Sequence, residues 1–200
     1  MAASPASVIH ISNALTYLSL LMGVGSIAAA LSGSAEAAGA LIAAAAIADT
    51  FDGRFARRFA RSPELVSMGV QLDSLADAVA FGIAPVIVAG VLFRPVGNAA
   101  EWFWWAAAFV YVACALTRLG FYNISQAEIS GFVGLPTPVA ALFWSTLFLL
   151  NAGPVALALV AMTTAVAMIA PLRIERPTGL GLAVFVLWPV TLVVVNAWKL

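Results

Sequence analysis

The sequence contains few charged residues and a single cysteine. Charged residues make up 9% of its 200 residues, hydrophobic residues 64%, and the mean hydropathy is +1.05. Soluble domains carry roughly 25% charged residues, so this composition excludes a soluble protein and predicts an integral membrane protein. Cys114 lies in an apolar run and can form neither an intrachain disulfide nor a zinc site. The formal net charge of zero gives no indication of a nucleic-acid partner.

The N-terminal segment also lacks the features of a secretory signal. No Lys or Arg precedes the first apolar run, and no short apolar region ends in a cleavage site. We therefore expect a retained first helix and an all-α fold, a polytopic transmembrane bundle of six to eight spans forming one domain over residues 1–200. Apolar runs of about 17–25 residues predict seven spans. These are residues 11–31, 37–51, 66–92, 102–122, 135–150, 155–171 and 180–198.

The positive charges predict the orientation of these spans. If the N-terminus is cytoplasmic, only Arg94 and Lys199 fall on the outer side. The residues on the inner side are Arg54, Arg57, Arg58, Arg61, Arg118, Arg173 and Arg176. This distribution satisfies the positive-inside rule and predicts that the charged segment faces the cytoplasm. The compact form of the chain suggests a prokaryotic inner membrane. Arg58 and Arg61 are interpreted as topology determinants or lipid-headgroup anchors.

Four aspartates and four arginines are concentrated in residues 48–77. Asp49 and Asp52 are three residues apart, and Asp73 and Asp77 are four apart, so each pair shares one face of a helix. The two pairs flank an arginine-rich turn, and their faces can meet where the second and third helices converge. The spacing therefore predicts one cluster of four carboxylates near the membrane surface.

Such a cluster points to metal-assisted phosphate chemistry. Carboxylates at one point in a membrane repel one another, and divalent cations would offset that repulsion. Hard oxygen ligands without nearby His or Cys favour Mg²⁺ or Mn²⁺ over zinc, and paired ions assist displacement at phosphorus. Gly53, Ala56 and Gly69 would let a nucleotide approach the backbone closely. Arg57 could bind phosphate oxygens with its guanidinium group.

Residues 49–77 also match the signature motif of a known protein family. The segment reads Asp49-x2-Asp52-Gly53-x2-Ala56-Arg57-x11-Gly69-x3-Asp73-x3-Asp77. This resembles the signature of the CDP-alcohol phosphotransferase family, which makes phospholipids by displacing CMP from a CDP-activated donor. Eleven residues separate Arg57 from Gly69, where the family usually has eight. The extra residues fall in a polar turn that absorbs insertions easily, so we expect the site to be retained.

Further segments resemble the phosphatidylserine synthase branch of that family. LDSLADAVAFGIAP contains the DSLAD and FGxAP motifs of this branch, whereas branches that use glycerol phosphate more often read DPLADK. FVGLPTPVAA matches FxGLPxPxAA. SNALTYLSLLMG resembles PNxLTxxNLxxG, with Asn13 and Thr16 retained and Ser12 in place of proline. TRLGFYN resembles LRLARFN, with Arg118 and Asn123 retained and Phe121 in place of an arginine.

The resemblance implies roles for individual residues. It implies a CDP-diacylglycerol site, with the acyl chains in lipid, at Asn13, Thr16, Asp49, Gly53, Ala56, Arg57 and Gly69. It implies two Mg²⁺ or Mn²⁺ ions held by Asp49, Asp52, Asp73 and Asp77. Asp77 would also be the general base for the hydroxyl of L-serine, which attacks the β-phosphoryl group and displaces CMP. Acceptor or phosphate contacts would come from Arg118, Asn123, Arg173 and Arg176. The family also implies a homodimer among membrane lipids.

Other functions fit parts of the pattern. Glycerol 3-phosphate, inositol phosphate or choline could replace serine, although a phosphorylated acceptor would require a denser cluster of basic residues. A cation transporter or channel would spread its acidic residues along the depth of several spans. A non-enzymatic scaffold has no reason to keep four carboxylates in a membrane. A lone intramembrane aspartate can serve as a helix–helix hydrogen-bonding residue, and Arg118 could be a topology charge.

Overall fold

The structure, a computed structural model, describes residues 4–93, 97–125, 131–174 and 178–200. Two 3₁₀ turns, Pro5–Val8 and Ile11–Asn13, precede the first long helix. The α-helices are α1 Ala14–Leu31, α2 Ala35–Ala56, α3 Pro63–Asp77, α4 Ala84–Leu92, α5 Asn98–Ser125, α6 Thr137–Leu149, α7 Pro154–Ile169 and α8 Gly179–Lys199. A π-helical turn, Ala78–Ile83, joins α3 to α4. Two short strands, β1 Phe132–Val133 and β2 Arg173–Ile174, pair antiparallel.

This architecture confirms the predicted all-α membrane bundle. The seven predicted spans correspond to seven helical rods in the described chain, because α3, the π-helical turn and α4 are continuous. Three segments, Ile11–Leu31, Pro63–Leu92 and Glu101–Ser125, are long and apolar enough to cross a membrane. Shorter apolar helices cover Thr137–Leu149, Pro154–Ile169 and Ala183–Lys199.

Two helices extend the picture given by the apolar runs. The second apolar run was predicted to end at about residue 51, and α2 continues to Ala56, so the whole first half of the charged motif is helical. The third predicted span contains the π-helical turn, which the apolar run did not indicate. Ser62 caps the N-terminus of α3 by accepting a hydrogen bond from the N–H of Leu65 at 3.4 Å, and Pro63 follows at the first helical position.

The central helix of the bundle is α2, which packs against α1, α6 and α8. Its inward positions are mostly alanine and glycine, which allow close approach of the helix backbones. This close approach allows Oγ of Ser145 on α6 to donate a hydrogen bond to the carbonyl of Gly39 at 2.8 Å. The close packing fixes α2, and with it the C-terminal turns that carry Asp49 and Asp52.

The strands β1 and β2 tie the start of α6 to the end of α7. Phe132 pairs with Ile174, and the N–H of Gly134 donates to the carbonyl of Leu172 at 2.8 Å. Gly134 has φ +73 and lies directly against the carbonyl of Met168, where no other residue would fit. This connection closes the bundle at the end where α2 terminates.

Candidate active site

The paired aspartates of α2 and α3 meet at one point. Asp49, Asp52 and Asp73 each offer a carboxylate oxygen, and these atoms lie within 4.8 Å of one another. The carboxyl group of Asp77 interacts with that of Asp49, and the carboxyl group of Asp73 interacts with that of Asp52. Asp77 is buried with 8% of its surface exposed, whereas the other three are half-buried. The structure thus brings together all four carboxylates that the helical spacing predicted.

This donor set fits a divalent cation. The atoms that converge are carboxylate oxygens, the ligands that Mg²⁺ and Mn²⁺ prefer, and they are close enough to share an ion. Without a cation, four acidic groups at such short range would repel one another in a partly desolvated place. The residues present therefore match a metal centre better than a set of helix–helix hydrogen bonds.

Residues from α1 complete one side of this cluster. Thr16 is buried, and its Oγ1 donates a hydrogen bond to Oδ2 of Asp52 at 3.1 Å. Asn13 is also buried and lies opposite Gly69 on α3: a Cβ on Gly69 would stand 3.3 Å from Oδ1 of Asn13. The N-terminal turn of α1 is thus in contact with both aspartate-bearing helices.

The remaining residues predicted to bind the CDP-lipid lie at the end of α2. Gly53 and Ala56 are half-buried and three residues apart, which places them on one helix face. Arg57 is exposed, and its Nη1 would stand 3.5 Å from a Cβ on Gly53. Its guanidinium group therefore folds back over the glycine, beside the carboxylate cluster.

Arg61 belongs to the same surface, which the sequence did not indicate. It was interpreted as a topology or headgroup residue, but it is half-buried. Its Nη1 would stand 3.5 Å from a Cβ on Gly69. The placement depends on how the turn between α2 and α3 folds back, and no spacing rule predicts the direction of a side chain across such a turn.

Arg118 on α5 is a buried cation beside the cluster. Only 6% of its surface is exposed, and it interacts electrostatically with Asp77 and Asp49. Its Cζ lies 5.8 Å from the centroid of the Tyr122 ring. Its Nε has no hydrogen-bond partner among the described residues. A buried guanidinium with an unused donor is well suited to bind an anionic group.

Arg118 also lines a cavity of about 290 Å³. The other lining residues are almost all apolar, and Arg118 carries the only charge among them in the described chain. They are Thr117, Phe121, Val133, Met168, Ile169 and Pro171. Phe121, which stands where the family pattern has an arginine, is 45% exposed on the same wall. The cavity therefore combines one cation with an apolar lining.

The other predicted acceptor residues have different surroundings. Asn123 accepts a hydrogen bond at Oδ1 from Oγ of Ser74 at 2.9 Å, which links α5 to α3 between Asp73 and Asp77. Arg173 is exposed on β2, paired through its backbone with Val133. Arg176 lies outside the described residues. The geometry thus associates Arg118 and Asn123 with the carboxylate cluster, and Arg173 with the rim of the bundle.

The chain is similar in sequence to a known protein family and to curated proteins. The model of the CDP-alcohol phosphatidyltransferase family matches residues 9–172. CDP-diacylglycerol–serine O-phosphatidyltransferase of Mycobacterium tuberculosis is 40% identical over 139 residues, which cover 64% of this chain and 45% of that protein. Archaetidylserine synthase of Methanothermobacter thermautotrophicus is 31% identical over 179 residues, which cover 88% and 73%. The chain therefore spans less than half the length of the mycobacterial relative.

Proposed function

The chain belongs to the CDP-alcohol phosphatidyltransferase family, and we propose that it transfers the phosphatidyl group of CDP-diacylglycerol to the hydroxyl of L-serine. The products would be phosphatidylserine and CMP. The observation that carries this proposal is the electrostatic interaction of the buried Arg118, whose Nε has no hydrogen-bond partner among the described residues, with Asp77 and Asp49 of the carboxylate cluster. The names of the mycobacterial and archaeal relatives support serine as the acceptor.

Asp49, Asp52, Asp73 and Asp77 would hold two divalent cations, Mg²⁺ or Mn²⁺. The proximity of the carboxylate oxygens of Asp49, Asp52 and Asp73 supports this assignment, and Asp77 interacts with Asp49 beside them. When bound, such ions would neutralise the pyrophosphate of the donor and the charge that develops on the departing CMP. Thr16 would keep the carboxylate of Asp52 in a fixed orientation through its hydrogen bond.

The donor would bind at the surface formed by α1, α2 and α3, with its acyl chains in the surrounding lipid. Gly53, Ala56 and Gly69 present no bulky side chain, so the cytidine diphosphate can approach the helix backbones. Arg57 and Arg61 border that surface and carry guanidinium groups that can bind phosphate oxygens. Asn13 would contribute polar contacts from the opposite side of Gly69.

The acceptor would bind between Arg118 and Asp77. Arg118 would bind the serine carboxylate, and Asp77 would accept the proton of the serine hydroxyl as a general base. The serine oxygen then forms a bond to the β-phosphorus, and the bond from that phosphorus to the CMP oxygen breaks. Burial of Asp77 limits access of water, a competing nucleophile, to the reacting atoms.

The cavity beside Arg118 favours serine over phosphorylated alcohols. A phosphate group would need several cationic or polar donors, whereas the described lining offers one guanidinium among apolar side chains. Choline has no carboxylate to pair with Arg118. Glycerol 3-phosphate, inositol phosphate and choline remain the alternatives that an activity measurement must separate.

The proposal extends to the cellular setting. Arg54, Arg57, Arg58 and Arg61 follow or border the end of α2 that carries the carboxylates. By the positive-inside rule, this end would face the cytoplasm from the inner membrane. The chain would act as one transmembrane catalytic domain among membrane lipids, and as a homodimer, the state implied by the family resemblance.

The deciding experiment measures CMP release by the purified protein in detergent with CDP-diacylglycerol and Mn²⁺ or Mg²⁺. L-serine, glycerol 3-phosphate, inositol phosphate and choline are supplied one at a time. Release that depends on serine supports the proposal in full. Release with a different alcohol would keep the reaction type and reject the acceptor, and a folded protein inactive with all four would reject the proposed reaction.

A further inference from the structure

A buried hydrogen bond connects α5 to the π-helical turn that follows Asp77. The hydroxyl of Tyr111 donates to the carbonyl of Phe81 at 2.8 Å, and both residues are fully buried. Tyr111 also packs edge-on against Trp144, with ring centroids 5.3 Å apart. The tyrosine is therefore fixed by packing, and its hydroxyl is directed at one backbone carbonyl.

That carbonyl lacks its usual helical partner. Pro85 stands four residues after Phe81, the position whose N–H would donate to this carbonyl in an α-helix, and proline has no N–H. Inside a membrane, a backbone carbonyl without a donor is strongly unfavourable. The hydroxyl of Tyr111 takes the place of the missing N–H. Within the same turn, the N–H of Ala84 donates to the carbonyl of Val79, five residues back, which is the π pattern.

The π-helical turn determines how α3 is rotated relative to α4. It contains one residue more than an α-helical turn, so its conversion to regular α-helix would rotate α3 by about 100° against α4. The turn itself is held by α1, because a Cβ on Gly23 would stand 2.6 Å from Cα of Ala80. Asp73 and Asp77 lie on α3 directly before the turn, so their direction depends on it.

We infer that Tyr111 is a positioning residue for the carboxylate cluster: its hydroxyl replaces the N–H missing at Pro85, stabilises the π-helical turn, and thereby directs Asp73 and Asp77 towards Asp49 and Asp52. This inference rests on the proposed function, because it concerns the orientation of the same metal-binding groups. Tyr111 does not touch the reacting atoms and acts only through the backbone of Phe81.

The test compares Tyr111→Phe, Pro85→Ala and the double variant with the wild type. Tyr111→Phe keeps the aromatic ring and removes only the donor, whereas Pro85→Ala supplies the N–H that the helix lacks. Tyr17→Phe is the matched control, because it removes a hydroxyl from an exposed tyrosine of α1. Two quantities are measured for each purified protein in detergent: the dissociation constant for Mn²⁺ by titration, and kcat for serine-dependent CMP release.

Tyr111→Phe should weaken Mn²⁺ binding and lower kcat by about tenfold each, the scale expected for one unsatisfied buried carbonyl. The double variant should recover most of both losses, and Tyr17→Phe should match the wild type. A Tyr111→Phe protein that only melts earlier, with unchanged Mn²⁺ affinity and kcat, would show a purely structural role and overturn the inference. A double variant that does not recover would equally overturn it.

The two readouts separate this inference from the proposed function. If the wild type binds Mn²⁺ but releases no CMP with serine, the proposed acceptor fails while the Mn²⁺ titration still decides the role of Tyr111. If the wild type binds no Mn²⁺, both the metal site and the positioning role are overturned.

Discussion

Thr16 on α1 donates a hydrogen bond from Oγ1 to Oδ2 of Asp52 on α2 at 3.1 Å. The contact joins two sequence motifs that are 36 residues apart. It occupies one lone pair of a carboxylate that lies close to those of Asp49 and Asp73. A hydroxyl that orients a metal-binding carboxylate is a common supporting interaction in metal sites.

Thr16→Val should therefore weaken metal binding without unfolding the protein. Valine keeps the shape of the side chain and removes the hydroxyl, so Asp52 loses a charge-assisted hydrogen bond and its fixed orientation. We expect roughly tenfold more Mn²⁺ to be required for half-maximal CMP release. Thr163→Val is the matched control, since Thr163 is exposed on α7 and its hydroxyl donates to carbonyl groups of its own helix. Equal Mn²⁺ requirements in the two variants would contradict the orienting role.

Asp73→Asn should abolish turnover and remove the stabilisation by Mn²⁺. The amide retains the size of the side chain but is a poor ligand for a hard cation, and the cluster loses one negative charge. Thermal unfolding with and without Mn²⁺ measures the stabilisation, and CMP release measures turnover. Glu36→Gln, at the opposite end of α2, is the matched control. An active Asp73→Asn protein that needs no metal would reject the two-ion proposal.

Arg118→Ala should raise KM for serine by at least tenfold, with a much smaller change for CDP-diacylglycerol. The reason is that Arg118 lines the cavity and carries an unused Nε donor, whereas the proposed donor-binding surface lies on α1, α2 and α3. Steady-state kinetics with each substrate varied in turn separates the two constants. Arg58→Ala, which removes an exposed arginine, should leave both KM values unchanged. An unaltered serine KM in Arg118→Ala would reject the binding role and indicate that Arg118 serves only as a topology determinant.

Gly69→Ala should impair binding of the CDP-lipid while leaving the fold intact. The added Cβ would stand 3.3 Å from Oδ1 of Asn13 and 3.5 Å from Nη1 of Arg61, in the space proposed for the nucleotide. Alanine in a helix is also about 1 kcal/mol more favourable than glycine, so the melting temperature should not fall. We expect KM for CDP-diacylglycerol to increase several-fold.

Gly120→Ala provides the comparison for Gly69→Ala, because a Cβ on this α5 glycine meets no atom within 4 Å. Its KM for CDP-diacylglycerol should equal that of the wild type. If both alanine variants bind the lipid as the wild type does, Gly69 does not border the nucleotide.

The parts of the site that were predicted from the sequence depend on local geometry. Asp49 and Asp52, like Asp73 and Asp77, share a helix face because of their spacing, and the hydrophobic runs around them leave little choice of fold. Contacts between helices are different. The approach of Arg61 to Gly69 depends on how a turn folds back, and the bond from Tyr111 to Phe81 depends on which helices pack together. Residue spacing along one helix predicts neither the direction of a turn nor which helices pack together.

The π-helical turn illustrates the same limit. Pro85 is visible in the sequence as a residue that disturbs a helix, but the prediction of a span over residues 66–92 did not include a π-helical turn. The helix continues from α3 to α4 despite Pro85, because the hydroxyl of Tyr111 on α5 donates a hydrogen bond to the carbonyl of Phe81. A proline indicates that an N–H is missing, but it does not indicate what replaces it.

The cavity beside Arg118 is built from a different stretch of the chain than the carboxylate cluster. Its lining runs from Thr117 to Pro171, whereas the aspartates and the proposed donor-binding residues all lie between Asn13 and Asp77. Under the proposed function, substitutions at the apolar lining residues would alter the site of the alcohol, whereas the aspartates that would bind the metal ions lie outside that lining. Under that proposal, the headgroup that is attached could change through substitutions in the cavity lining, with the carboxylate cluster retained.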